Sequence, residues 1–162
     1  SKVAHPDSGG DAVEFERINR AHTCLGDPAA RLKHLAELQF GEAPPSSGDV
    51  DAETMALFET VATSLSEADA FLKRHAGASS AIARALLAKD EASAATSVFA
   101  ASGSVRARRA EVLEQLPSID SALAAGRVDE ASAAIGECCR ALAFLGKWEA
   151  QLAERMAALA VA

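Results

Sequence analysis

Along most of this 162-residue chain, apolar side chains recur three and four positions apart, the spacing of one helix face. No stretch alternates apolar and polar residues as a half-buried strand would. That period restricts the chain to helices packed on helices. Nearly half of the residues are hydrophobic, but much of that share is alanine, aromatics are few and tyrosine is absent. Alanine favours helix and buries little area per residue. The expected fold class is therefore all-α, with long helices, thin cores and an antiparallel bundle of three to four helices behind an N-terminal hairpin.

Helix breakers divide the chain. Residues 5–11, "HPDSGGD", read as a turn whose Asp11 caps a helix over 12–25. Phe15, Ile18, His22 and Leu25 form its expected inward stripe, and Gly26 ends it. Asp27-Pro28 restarts the chain as N-cap and first helical residue of a helix over 28–39. Leu32, Leu35 and Leu38 are expected inward there, and Gly41 stops it. "GEAPPSSGDVD", 41–51, has the composition of a linker and marks a domain boundary.

Four helices are expected in residues 52–162. The first, over 51–75, places Phe58, Val61, Leu65, Ala68 and Leu72 inward. The second, over 79–100, carries Ile82, Leu86 and Phe99, and "ASGS" at 101–104 breaks it. The third, over 104–124, carries Val105, Val112, Leu116, Ile119 and Leu123, with a kink at Pro117. The last, over 128–160, carries Ala131, Ile135, Leu142, Leu145, Trp148, Leu152 and Met156.

Charge and motifs narrow the function. The net charge is −7, and residues 1–40 and 41–162 are each neutral to acidic, so no broad phosphate-binding surface and no nucleic-acid partner is expected. The cluster Arg106, Arg108, Arg109 is expected on a solvated helix face. No apolar run approaches the length of a membrane span and no signal-peptide pattern is present, so no membrane partner is expected and the cytoplasm is the expected compartment. Cys24, Cys138 and Cys139 make neither a disulfide framework nor a spaced metal set, and at least one of the adjacent pair is expected to be a buried small hydrophobe. The four histidines stand at 5, 22, 34 and 75, and no zinc-protease, nucleophile-elbow, P-loop or dinucleotide motif is present. No catalytic residue, metal or cofactor is expected, and the chain does not read as an enzyme.

One constellation remains. His5-Pro6-Asp7 is followed at fixed distances by "FERINRAHTCL" and "DPAAR". Phe15, Ile18, Asn19, Ala21, Leu25, Asp27, Pro28 and Arg31 carry a pattern that resembles the J-domain of DnaJ-type co-chaperones, from the end of its second helix through its fourth. The resemblance implies that residues 1–40 are a partial J-domain, its loop and the following helical hairpin. It also implies that the loop contacts a DnaK/HscA-type ATPase chaperone and stimulates its hydrolysis of ATP, with His5, Pro6, Asp7 and Lys2 as the contact residues. The chemistry suits a trigger: Pro6 stiffens the turn, Asp7 offers a fixed carboxylate to a basic site, and His5 can donate and accept.

Two further stretches narrow the resemblance. "LKHLAELQFG" after Arg31 and "RVDEASAAIGECCRALAFLGKWEAQL" at 127–152 are similar to HscB, a J-domain followed by a helical bundle that binds the scaffold protein IscU in iron–sulfur cluster assembly. Leu142, Phe144, Leu145, Lys147 and Trp148 carry the second match. The resemblance implies that 52–162 binds the client, with Phe144, Met55, Leu57 and Phe58 as its apolar contacts. Spacing places Phe58 on the inward stripe and Met55 on the same side. Leu57 falls about 100° off that stripe and is expected to be exposed, and Phe144 is displaced to one flank of Leu142, Leu145 and Trp148.

The chain also departs from the family. Ser8 replaces the usual lysine, and His22 and His34 stand at aromatic positions. Residues 78–104 read as an insertion with an extra helix. The family's first helix and most of its basic second helix have no counterpart, so the natural chain is expected to extend upstream unless the segment is a degenerate J-like one. Two alternatives stay open beside the HscB-like reading: a general J-protein with another client, and a helical scaffold with an inactive J-like segment.

Overall fold

The computed structural model describes residues 12–45 and 47–162. Among them there is no strand, and the fold is all-α. Eight helical segments follow in order: α1 (Ala12–Gly26), α2 (Pro28–Phe40), α3 (Ala52–Ala56), α4 (Phe58–Gly77), α5 (Ala81–Ala85), α6 (Ala88–Glu114), α7 (Leu116–Ala124) and α8 (Val128–Leu159).

Local chemistry sets most of the ends. The Asp27 carboxylate accepts from the Ala30 N–H at 2.9 Å and Pro28 occupies the first turn of α2. Gly41 closes that helix with φ 81°, a left-handed conformation that costs glycine nothing. Asp51 caps α3 through the Thr54 N–H at 2.7 Å, and Ser80 caps α5 through Ala83 at 3.1 Å. The proposed cap Asp11 lies outside the described residues.

Four boundaries differ from the sequence reading. The helix expected over 51–75 is interrupted at Leu57, which separates α3 from α4. The expected kink at Pro117 is a break at Gln115, because proline has no N–H and its ring clashes with a carbonyl four residues back. "ASGS" breaks nothing: α6 runs through it without interruption. A mid-helix glycine costs only about 1 kcal/mol, and fully buried Ala101 and Val105 flank Gly103 and hold the helix in place. The expected 79–100 helix instead divides earlier, at Leu86-Leu87.

The chain forms two compact units. One joins the segment ending at Ser47 to Pro117–Cys139, and the other joins Gly48–Leu116 to Arg140–Ala162. The first division falls inside the 41–51 linker. The stretch 52–162 is itself shared between the units, since α7 and the first part of α8 group with the hairpin.

In the first unit, buried apolar residues come from α2 (Leu32, Ala36), α7 (Ile119, Ala122) and α8 (Ala131, Ile135, Cys138). Cys139 is half-buried. The stripe expected inward on α1 is not buried: Ile18, His22 and Leu25 are exposed and Phe15 is half-buried. On α2, Ala36 takes the inward place expected of Leu38, which is exposed.

The second unit is a three-helix bundle. Arg108 meets Thr54, Ser97 meets Ser64 and Asp90 meets Arg74, so the α3–α4 strip and α6 run antiparallel. Phe58 lies across a groove from Phe144, and Asp69 bonds Arg155, so α4 and α8 run parallel. Val61, Ala68, Phe71, Val98, Ala101, Val105, Leu145 and Leu152 are among its buried residues. Ile82, Leu86 and Phe99, expected inward, are 76%, 78% and 71% exposed. The inward face of α6 is instead Ala94, Val98, Ala101 and Val105, at a spacing of four, three and four.

The arginine cluster is also corrected. The Arg108 side chain is only 11% exposed and lies 2.8 Å from Asp51, 3.1 Å from Glu53 and 3.0 Å from Glu111. Its Nε donates to the hydroxyl of fully buried Thr54 at 3.2 Å. Arg109 pairs with Glu149 at 3.7 Å. Two of the three arginines thus tie helices together and are not simply solvated.

Candidate client-binding groove

Parallel α4 and α8 leave a groove of about 250 Å³ between them. Each wall uses the i, i+3, i+4, i+7 face of its helix: Phe58, Val61, Ala62 and Leu65 on α4, and Phe144, Lys147, Trp148 and Gln151 on α8. Val61 and Trp148 are buried and make the floor. Phe58 and Phe144 are 55% and 41% exposed and make the apolar rim. The Phe144 ring stands edge-on to Trp148, with centroids 5.9 Å apart and planes at 65°. That geometry suits the aromatic quadrupole and is worth about 0.5–1.5 kcal/mol beyond buried area. A core-anchored tryptophan thus holds a partly exposed phenylalanine. Lys147 adds a cation at the rim. The arrangement suits an apolar side chain of another protein seated against aromatic surface.

Two of the four residues expected at the client site are brought together here, Phe58 and Phe144. Phe58 was expected inward but is exposed, because the interruption at Leu57 makes it the first residue of a new helix. Leu57 was expected to be exposed but is half-buried. Met55 is exposed, and neither Met55 nor Leu57 lines the groove. Val61 and Leu65 belonged to the expected inward stripe, while Gln151 was not singled out. The matching helical spacing on the two segments was the signal that could have found the whole groove.

Around the N-terminal end of this unit the electrostatics are structural. Burial pushes the Asp51 carboxyl up, but hydrogen bonds from Thr54 and the charge of Arg108 outweigh it and hold the carboxyl below its ordinary value. Burial works against the Arg108 cation, and Glu111, Asp51 and Glu53 together overcome it and raise its pKa. Arg140 Nε donates to the Asp49 carbonyl at 3.0 Å, and its guanidinium lies against Gly48, whose φ is 139°.

His5, Pro6, Asp7 and Lys2 lie outside the described residues. Among the described residues, no cluster of three His, Cys, Asp or Glu side chains is placed to hold a metal ion. Among those residues, too, no helix is long and apolar enough to cross a membrane. Comparison with family models, curated proteins and solved structures finds no match to this chain.

Proposed function

We propose that the chain is an HscB-like co-chaperone of the cytoplasm. In this reading His5, Pro6 and Asp7, with Lys2, engage a DnaK/HscA-type chaperone and stimulate its ATPase. The α4–α8 groove holds an IscU-like iron–sulfur scaffold for delivery. The observation that carries the reading is the meeting of Phe58 and Phe144 on one groove. They are far apart in the chain, and the resemblance to HscB points to both. The capped Asp27-Pro28 junction, with helices on both sides, is in keeping with the J-like pattern of 12–31.

The test has two arms on the natural full-length protein. Single-turnover ATP hydrolysis by a DnaK/HscA-type chaperone is expected to accelerate, and His5→Gln or Asp7→Asn to remove the acceleration without unfolding. Titration calorimetry with an IscU-like scaffold is expected to show binding. Full stimulation by Asp7→Asn would remove the trigger role, and absence of scaffold binding would remove the client.

A second reading, a helical scaffold with an inactive J-like segment, draws on α1, which buries none of its residues. Under it, stimulation is absent in the parent protein as well as in the variants.

A further inference from the structure

A second concave feature lies wholly within the α1–α2 hairpin. It is a cleft of about 670 Å³ between the two helices. Cys24 and Ala30 mark its closed end, where the Cys24 thiol donates to the Ala30 carbonyl at 3.7 Å. Arg17 and Arg20 line the α1 wall, and Lys33, His34 and Glu37 line the α2 wall. Arg17 is neutralised by Glu14 at 2.9 Å, and Glu37 lies 3.6 Å from His34. Arg20 and Lys33, one on each wall, have no ion pair among the described residues. Glu37 also lines the cleft, and its contact with His34 is ionic only when the histidine is protonated. With Arg17 paired to Glu14, the unpaired Arg20 and Lys33 still leave the lining with a small positive excess in a chain of net charge −7.

We propose that this cleft docks a short acidic segment of a partner protein, with side-chain carboxylates bridging Arg20 and Lys33. Arginine presents a planar fork that matches a carboxylate, and lysine presents a point charge that tolerates several approach angles. Arg17 and Cys24 are two turns apart on α1, about 10 Å along the axis. That length takes about three residues of extended peptide at about 3.3 Å each. A nucleic acid is a poor occupant, because binding one means neutralising many phosphates in a row while the rest of the chain repels them. A small inorganic anion would engage one cation at a time in an open, solvated cleft, where water and salt screen it. An extended peptide with several carboxylates engages both walls at once. The proposal is independent of the proposed co-chaperone function and of the loop at residues 5–7.

The test is fluorescence anisotropy with the full chain and a fluorescein-labelled hexaglutamate peptide at low ionic strength. Binding is expected and should weaken as salt rises, because the interacting groups are exposed. Arg20→Gln combined with Lys33→Gln should weaken it about tenfold or more. Both side chains lie on exposed positions, so helix content by circular dichroism should not change. Hexaglutamine should not bind. Lack of hexaglutamate binding would overturn the proposal, as would undiminished affinity in the double variant. Displacement of the peptide by tripolyphosphate or duplex DNA at lower concentration than by unlabelled hexaglutamate would replace the peptide with that ligand and overturn it as well.

Discussion

Asp51 does two jobs with one carboxylate. It caps α3 through the Thr54 N–H and it accepts from Arg108, whose other contacts are Glu53, Glu111 and the Thr54 hydroxyl. Asparagine caps a helix about as well as aspartate but carries no charge. Asp51→Asn should therefore lose only the ionic part, roughly 0.5–1 kcal/mol for a pair that is partly exposed. Asp51→Ala should lose the cap as well, about 1 kcal/mol more. The pH dependence has a definite sign. Because the folded carboxyl lies below its ordinary value of 3.8, its contribution is complete above that value and is lost as pH falls through the lower, folded one. Urea denaturation at pH 7 should show the parent protein more stable than Asp51→Asn, and the gap should close in acid below the ordinary carboxylate range. A gap that widens on acidification would contradict the assignment.

At the scale of elements, what the sequence makes legible is what local chemistry decides. Asp27, Pro28 and Gly41 set helix ends without help from tertiary contacts, and all three stand where the turn signals place them. Faces are harder. On α8 the large residues Leu142, Leu145, Trp148 and Leu152 dominate the period, and the buried side follows them. On α6 the largest apolar residue, Phe99, points away from a core made of alanine and valine. A period read from bulky residues therefore selects the wrong side of an alanine-rich helix. The same weakness explains "ASGS". Its glycine and serines score as a break, while the small buried residues that hold the helix together score as nothing. Gly103 is accordingly a mild defect inside α6. A Cβ there would meet nothing within 4 Å. Gly103→Ala should stabilise the protein by about 0.5–1 kcal/mol through reduced freedom of the unfolded chain. Gly41→Ala should do the reverse by a similar amount, because φ is 81° there. Thermal melts of the two variants should move in opposite directions.

Across the whole molecule, the proposed work falls on surfaces far apart in sequence, and their legibility differs for a physical reason. A trigger loop is a short contiguous string, so His5-Pro6-Asp7 can be picked out by eye. A groove is assembled from two helices, and of the four residues that the resemblance implies as client contacts only Phe58 and Phe144 line it. Met55 and Leu57, implied as contacts by the same resemblance, neighbour Phe58 in sequence but lie off the groove, because successive positions on a helix point to different sides. The groove geometry ranks the four residues. Phe144 leans on Trp148, and Phe58 rises from the opposite wall, so both offer apolar area to a partner at little cost to the core. Exposed aromatic anchors of this kind cost about 2 kcal/mol or more in binding when truncated, roughly thirtyfold in Kd. Phe58→Ala and Phe144→Ala should each weaken scaffold affinity by about that factor while shifting the melting temperature by only a degree or two, since each side chain is about half exposed already. Met55→Ala and Leu57→Ala, off the groove, should change affinity by less than about threefold. Trp148→Ala should lower the melting temperature sharply, because a buried aromatic truncation costs about 3–5 kcal/mol. Titration calorimetry and melts on the five variants would separate the outcomes. Equal losses of affinity at Met55 and Phe58 would show that the client reads the whole α3–α4 strip and not the groove, and unchanged affinity at Phe58 and Phe144 would leave the groove as a surface feature of the bundle without a client.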